Sequence, residues 1–176
     1  MTANANSSPD ASGKGHFRVL FICSGNTCRS PMAEGILKKL LADVGDRDTQ
    51  ISVQSAGTMG MVGQPATDLA IKVAAQFDVD ISEHRSQGLT PRLLHESDLV
   101  LALAAEHWET AHSLGKTAES LFMLKSFPNQ SGDRRTESVD DPIGGNQSRY
   151  EKAYFEIEEA IRRALPSILQ RAGITQ

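Results

Sequence analysis

The chain has 176 residues and a formal net charge of −4, with 18 Lys and Arg against 22 Asp and Glu. That length sets the expectation of a single domain over 16–172 with a good apolar core, and the absence of a concentrated basic face argues against a nucleic-acid partner. The two cysteines, Cys23 and Cys28, are too close together for a disulfide framework, and no Cys or His cluster has the spacing of a zinc site; the expectation is no metal, no cofactor and a reducing, cytoplasmic setting.

Residues 1–15 are mostly Ser, Asn, Ala and Gly with no apolar stretch, so they lack the heart of a secretory signal and read as a disordered tail. No run is long enough to span a bilayer, and no membrane partner is expected. Val19-Leu20-Phe21-Ile22 is an unbroken apolar run, the pattern of a strand covered by helices on both faces. Cys23 to Pro31 then turns into a helix: Gly25 and Asn26 tolerate unusual dihedrals, Ser30 is placed to cap the helix, and Pro31 suits its first position. Ala33, Ile36, Leu37, Leu40 and Leu41 recur at helical spacing and predict one apolar stripe. Asp43 to Thr49 breaks that pattern. Ile51 and Val53 mark a second strand ending at Ser55-Ala56-Gly57, and Thr58 to Pro65 follows as a surface loop where open α/β sheets bind ligands.

Thr67 is placed to cap a second helix bearing Leu69, Ala70, Val73, Ala74 and Phe77, and Asp78 to Thr90 reads as connection. Asp98 to Leu103 is the third buried strand, Ala105 to Ser113 a helix behind it, and Leu121 to Leu124 the fourth strand. Lys125 to Gly145 is polar and long, as functional or disordered loops are. Tyr150, Tyr154, Ile157, Ile161, Leu165 and Ile168 step by three or four and predict the final helix, with Pro166 kinking it or marking where its last turn loosens. Strands alternating with helices give an α/β fold.

The turn after the first strand carries the chemistry. Backbone N–H groups of Ser24, Gly25, Asn26, Thr27 and Cys28 can wrap an anion, with the positive end of the helix aimed at the same point, and a phosphate fits there. A thiol at the start of such a loop feels the same field, which is expected to lower its pKa and populate the nucleophilic thiolate. Arg29 can hold two phosphate oxygens through its planar fork and gather the charge of a phosphoryl transition state. A Cys beside a strand is more often core than catalyst; Gly25, Asn26, Ser30, Pro31 and the strand supply the context that turns the reading toward function.

Phosphocysteine chemistry also needs an acid for the leaving atom and then a base for water, and one carboxyl can serve both steps. Asp141, directly before Pro142, is the candidate. Asp140 adjoins it and either substitutes for it or, through its charge, keeps it protonated. Asp133 is the weaker contender.

Cys23-Ser24-Gly25-Asn26-Thr27-Cys28-Arg29-Ser30-Pro31-Met32-Ala33-Glu34 closely resembles the phosphate loop of the low-molecular-weight protein-tyrosine phosphatase family. The likeness continues through Ser55-Ala56-Gly57, His84-Arg85-Ser86 and Asp141-Pro142 in the family's order. It implies a three-layer α/β/α fold with a four-stranded parallel sheet and the phosphate loop between the first strand and the first helix. It also implies catalytic roles for Cys23, Arg29 and Asp141, bracing of loop and thiolate by Asn26, Ser30 and His84, and a reversible protective disulfide between Cys28 and Cys23 under oxidation. Relatives often carry a polar or acidic residue after the third strand; Leu103-Ala104-Ala105 breaks that pattern and, with it, the expectation of a bracing contact from there.

Members that take phosphotyrosine usually hold its ring between an aromatic of the second-strand loop and one just after Asp-Pro. Those places hold Gly60 or Met61 and Ile143, so the aromatic clamp is missing. Thr27 stands where tyrosine-selective relatives commonly have Ile, and Asp141-Pro142-Ile143-Gly144-Gly145 keeps the double Gly of the branch resembling protein-arginine phosphatases. The resemblance therefore implies a cysteine-dependent phosphatase acting on a phosphorylated protein, on phosphotyrosine by family, with phosphoarginine favoured by Thr27. Arsenate reductases of the same fold relay through further cysteines, and none follows Cys28; a phosphocysteine carrier gains nothing from Arg29 and Asp141. Trp108 reads as core, and Met59 and Met61 as core or pocket rim. Nothing in the sequence fixes the oligomeric state.

Overall fold

Every residue from Val19 to Cys23 is buried, and the sheet is built around that strand. In the computed structural model, which describes residues 16–45 and 50–174, β1 (Phe17–Cys23) pairs in parallel with β2 (Ile51–Gly57) on one side and β3 (Leu99–Ala102) on the other. A fourth strand, β4 (Leu121–Met123), extends the parallel sheet beyond β3. Val19 lies opposite Val53 and Leu99, and Cys23 opposite Gly57, so β1 and β2 end level with each other.

Alternate residues of β1 feed two separate cores. Val19, Phe21 and Cys23 pack toward α1 (Arg29–Asp43), α2 (Asp68–Ala75) and α5 (Gln147–Arg171), against Ile36, Leu37, Val73, Tyr154 and Ile157. Leu20 and Ile22 pack on the opposite face with Leu94 of α3 (Pro91–Glu96) and Trp108 and Ala111 of α4 (Ala105–Ser113). The result is the expected three-layer α/β/α arrangement around a four-stranded parallel sheet. An apolar run without alternation is what such two-sided burial requires. The expected tail over 1–15 lies outside the described residues, as does part of the break at 43–49.

Two local expectations at the head of α1 are corrected. Ser30 does not cap α1: the helix starts at Arg29, Cys28 stands at its head without a side-chain cap, and the Ser30 hydroxyl is committed to Cys23 and Asn26 instead. Pro31 is therefore the third helical residue, which costs no hydrogen bond because the first N–H groups of a helix have no partner inside it. Pro166 lies inside α5, which runs on to Arg171; the carbonyl deprived of its donor is that of exposed Arg162, where water can satisfy it. Thr67 caps α2 as expected, accepting from Ala70 N at 3.4 Å. The short helix α3, read from sequence as nothing, is capped by Thr90 on Leu93 N at 3.1 Å with Pro91 in its first turn. Among the described residues, no helix is long and apolar enough to cross a membrane.

Candidate active site

The loop 24–28 leaves β1 and closes on the N-terminus of α1. Asn26, with φ of 55°, is in the left-handed region that Asn tolerates better than most residues. Its buried amide is the hub of the loop: Nδ2 donates to Ser30 Oγ at 2.8 Å and to Ser55 Oγ at 2.9 Å, while Oδ1 accepts from Gln87 N at 2.9 Å. The Ser55 hydroxyl in turn donates to Glu34 Oε2, and His84 Nε2 bonds the Asn26 carbonyl at 2.7 Å. From the side, β2 crowds the loop so closely that a Cβ at Gly57 would lie 2.6 Å from Ser24 O and 3.1 Å from Asn26 Cβ. Only glycine permits that approach.

Cys23 Sγ meets Ser30 Oγ at 2.8 Å and accepts from Asn26 N at 3.3 Å. Ser30 Oγ also accepts from Asn26 Nδ2, and its proton favours the thiolate when it points at the sulfur. Burial is nevertheless the largest influence on the thiol and pushes its pKa above the ordinary value, while the Ser30 hydroxyl and amide, the Arg29 charge and the Asn26 amide pull it down. The expected net lowering is corrected: desolvation of a residue only 2% exposed outweighs the hydrogen bonds and charge that favour the thiolate.

Arg29 is buried, and each arm of its fork is anchored. Nη1 donates to Val139 O at 2.9 Å; Nη2 donates to Asp141 Oδ2 at 3.0 Å and to Ser24 Oγ at 3.3 Å. The long polar segment is thereby tied over the phosphate loop, with Val139 N on Leu103 O at 2.7 Å and Ala105 N on Ser138 Oγ at 3.0 Å holding it against β3 and α4. Asp140 points elsewhere: its side chain is 82% exposed and its oxygen lies 3.7 Å from Lys152 Nζ. Asp133 accepts from Arg135 N within its own turn. Of the three carboxyls weighed from sequence, only Asp141 contacts Arg29.

A residue not anticipated from the sequence completes the wall. His107 of α4 is fully buried, with Nε2 2.9 Å from Ser24 Oγ. Burial first, and then the Arg29 charge, push its pKa down to about 3 against a smaller opposing pull from Asp141, so the ring is neutral. The break in the family pattern at Leu103-Ala104-Ala105 is thus made good within the first turn of α4. The only signal for it was a histidine just beyond a buried strand.

Cys28 turns from Cys23 toward α2 and α5, with its sulfur 3.4 Å from Thr67 Oγ1 and 3.4 Å from Tyr150 Oη. Burial and the Cys28 contact push the Tyr150 phenol up to about 12. Thr27 is buried, and its Oγ1 and the Met61 sulfur each lie 3.5 Å from the point a Cβ on Gly25 would occupy. Met59, Met61, Val62 and Ile143 are exposed; Met59 N bonds Ser24 O at 3.0 Å and the Met61 sulfur faces Gly25, which puts both methionines at the rim, while Ile143 N bonds Asp141 Oδ1 at 3.2 Å. Trp108 is core, donating to Leu121 O at 3.3 Å beneath the Arg134 guanidinium. Among the described residues, no group of three or more His, Cys, Asp or Glu is arranged to hold a metal ion.

An amide loop closing on a helix, with a thiol at its base and a buried arginine fork, opening at the carboxyl end of an inner parallel strand, is the architecture of a cysteine-based protein phosphatase. The chain belongs to the low molecular weight phosphotyrosine protein phosphatase family, whose profile matches residues 18–173. It is 36% identical to a probable low molecular weight protein-tyrosine-phosphatase, EpsP, of Ralstonia solanacearum, over 85% of this chain and 94% of that one. It is also 34% identical to a protein-arginine-phosphatase of Bacillus subtilis, over 82% and 92%. Among solved structures, a low molecular weight protein tyrosine phosphatase from T. tengcongensis superposes with a TM-score of 0.76 at 35% identity, covering 86% of this chain and 99% of that one. The YwlE arginine phosphatase, in a mutant with a phosphorylated active-site serine, superposes at 0.74 and 30% identity, covering 88% and 96%.

Proposed function

We propose that Cys23 is the nucleophile, Arg29 the phosphoryl-binding fork and Asp141 the acid and then the base of a two-step hydrolysis. The Cys23 thiolate attacks phosphorus and the bond to the leaving oxygen or nitrogen breaks as Asp141 gives that atom its proton. Water then attacks the phosphocysteine, Asp141 takes its proton, the S–P bond breaks, and phosphate leaves with the thiolate restored. The amides of Ser24 to Cys28 and Arg29 hold the transferring oxygens throughout. What supports this reading is the 3.0 Å contact between Arg29 and Asp141, which brings the carboxyl to the mouth of the loop.

The substrate is a phosphorylated protein side chain, with phosphoarginine preferred to phosphotyrosine. Two observations favour that order. Thr27 brings a hydroxyl to the wall of the loop, where a bulkier aliphatic chain would exclude a guanidinium and offer it no hydrogen bond. The rim is made of Met59, Met61, Val62 and Ile143, with no aromatic pair among them to sandwich a phenyl ring. A thiol nucleophile calls for a reducing compartment, so the cytoplasm is the proposed setting; neither nucleic acid nor membrane enters the proposal. Cys28, besides its amide, is proposed as the resolving thiol under oxidation. The test sets matched phosphoarginine and phosphotyrosine peptides against the purified protein, with Cys23→Ser as control. Faster release of phosphate from phosphoarginine is expected; faster release from phosphotyrosine would return the substrate to the family's namesake.

A further inference from the structure

We propose that His107 is a positioning residue that turns the Ser24 hydroxyl into a proton donor facing the phosphate loop and, through Ser24, holds the Arg29 fork. The ring is fully buried, and among the described residues only one of its nitrogens has a partner: Nε2 lies 2.9 Å from Ser24 Oγ, whereas buried Nδ1 has none. Buried polar atoms without partners are rare, so the contact on Nε2 has to account for the residue's presence.

The orphaned nitrogen settles the tautomer. If Nδ1 carried the proton, a donor would be buried unpaired; with the proton on Nε2, only a lone pair goes unused, the milder of the two costs by analogy with backbone groups. Nε2–H therefore donates to Ser24 Oγ. The same oxygen accepts from Arg29 Nη2 at 3.3 Å. With both lone pairs occupied, Ser24 has only its proton left to offer, and the acceptor within reach of a residue in the phosphate loop is the phosphoryl group bound there. The neutrality of the ring follows from its surroundings. Arg29 lies on one side, Glu106 Oε1 lies 3.8 Å from Nε2 but on a well-exposed side chain, and Asp141 is paired with Arg29 and partly solvated. A second positive charge beside Arg29 on one shared oxygen is the arrangement that burial excludes.

The inference rests on the reading of the Cys23 loop as the catalytic site. Cys23→Ser tests that reading separately, and turnover surviving in it would remove the site whatever His107 does. The variants are assayed with p-nitrophenyl phosphate, each alongside its thermal unfolding. His107→Phe and Ser24→Ala should each lower kcat about tenfold, the worth of one placed hydrogen bond, with KM moving by less than about threefold. Since both remove the same interaction, the double variant should lose no more than about twofold beyond either single one. His107→Gln, whose amide reaches as Nε2 does, should return kcat to within about threefold of the wild type. If His107→Phe fails to fold, His107→Asn takes its place, its amide being too short to reach Ser24. Losses that multiply in the double variant, or a glutamine that restores stability without restoring kcat, would overturn the proposal and leave His107 a core residue.

Discussion

Arg29 and Asp141, 112 positions apart in sequence, meet at 3.0 Å, the guanidinium buried at 3% exposure and the carboxylate open at 40%. The buried partner is pinned by Val139 O and Ser24 Oγ, and the open one hangs from a loop. In the proposed mechanism the phosphoryl oxygens take over the fork's outward N–H, and the carboxylate released from Arg29 can take up the proton that it then gives to the leaving atom. The proposed acid is thus held, until substrate arrives, by the residue proposed to bind that substrate.

Asp141→Asn should cut turnover of phosphopeptides by about 10²–10⁴-fold, the usual contribution of a placed acid. An activated aryl phosphate needs less help in the first step, but the phosphocysteine still needs a base. The intermediate should therefore accumulate and appear as a burst of phenol in rapid-quench kinetics. Equal losses for good and poor leaving groups, without a burst, would make Asp141 structural. The exposed Asp140, beside Lys152, should be replaceable by Asn with less than about a twofold effect.

Thr27→Ile should lower phosphoarginine turnover far more than phosphotyrosine turnover, because it replaces a hydroxyl with bulk at the wall of the loop. The ratio of kcat/KM for the two peptides reads this directly. An unchanged ratio would move the choice of substrate to the rim, at Met61 and Ile143.

Ser30→Ala should raise the pKa of Cys23 further. The thiol already lies above its ordinary value through burial, and the variant removes a donor that favours the thiolate while burial stays. The pH dependence of alkylation by iodoacetamide measures it, and a midpoint that stays put would mean that Ser30 gives the sulfur nothing.

Much of this site was legible because its chemistry is local. Cys23 and Arg29 lie on one turn, and Gly25, Asn26 and Pro31 announce that turn. Ser30 was misread as a cap for the same reason: a local reading sees the start of a helix, but not that the Asn26 amide, oriented by Gln87 sixty-one residues away, claims the hydroxyl first. His107 was invisible because its partner is eighty-three positions off and no spacing rule links the two. Asp140 and Asp141 are indistinguishable as a pair of letters, and it is Arg29, far off in sequence, that draws one of them inward while the other stays in solvent. The third helix escaped because six residues are too few to show a period.

Peroxide should inactivate the enzyme reversibly. The Cys23 thiolate is oxidised to a sulfenic acid, and the Cys28 thiol displaces water from it to give a disulfide. Cys28 must first leave Thr67 and Tyr150. Activity regained on adding dithiothreitol should be high in the wild type and poor in Cys28→Ser; equal recovery would leave Cys28 as a phosphate-loop residue only.

His107 makes the fold sensitive to acid in a stated direction. Its pKa is about 3 in the folded chain against an ordinary 6.5, so between those values the unfolded chain binds a proton there that the folded chain refuses. Its stabilising contribution is complete above pH 6.5 and drains away as the pH falls toward 3. The melting temperature of His107→Gln should therefore decline less steeply than that of the wild type from pH 6.5 to 4. Parallel declines would mean that the imidazole takes its proton without leaving the fold.

Gly57 bears on how an enzyme of this kind can diversify. Because β2 presses against the backbone of Ser24 and Asn26 with no room for even a methyl group, the cradle cannot widen or tilt to suit a new leaving group. The rim is under no such restraint, since Met59, Val62 and Ile143 stand largely in solvent. Descendants of such a chain can exchange one phosphorylated side chain for another by altering the doorway, while the machinery behind it is inherited unchanged.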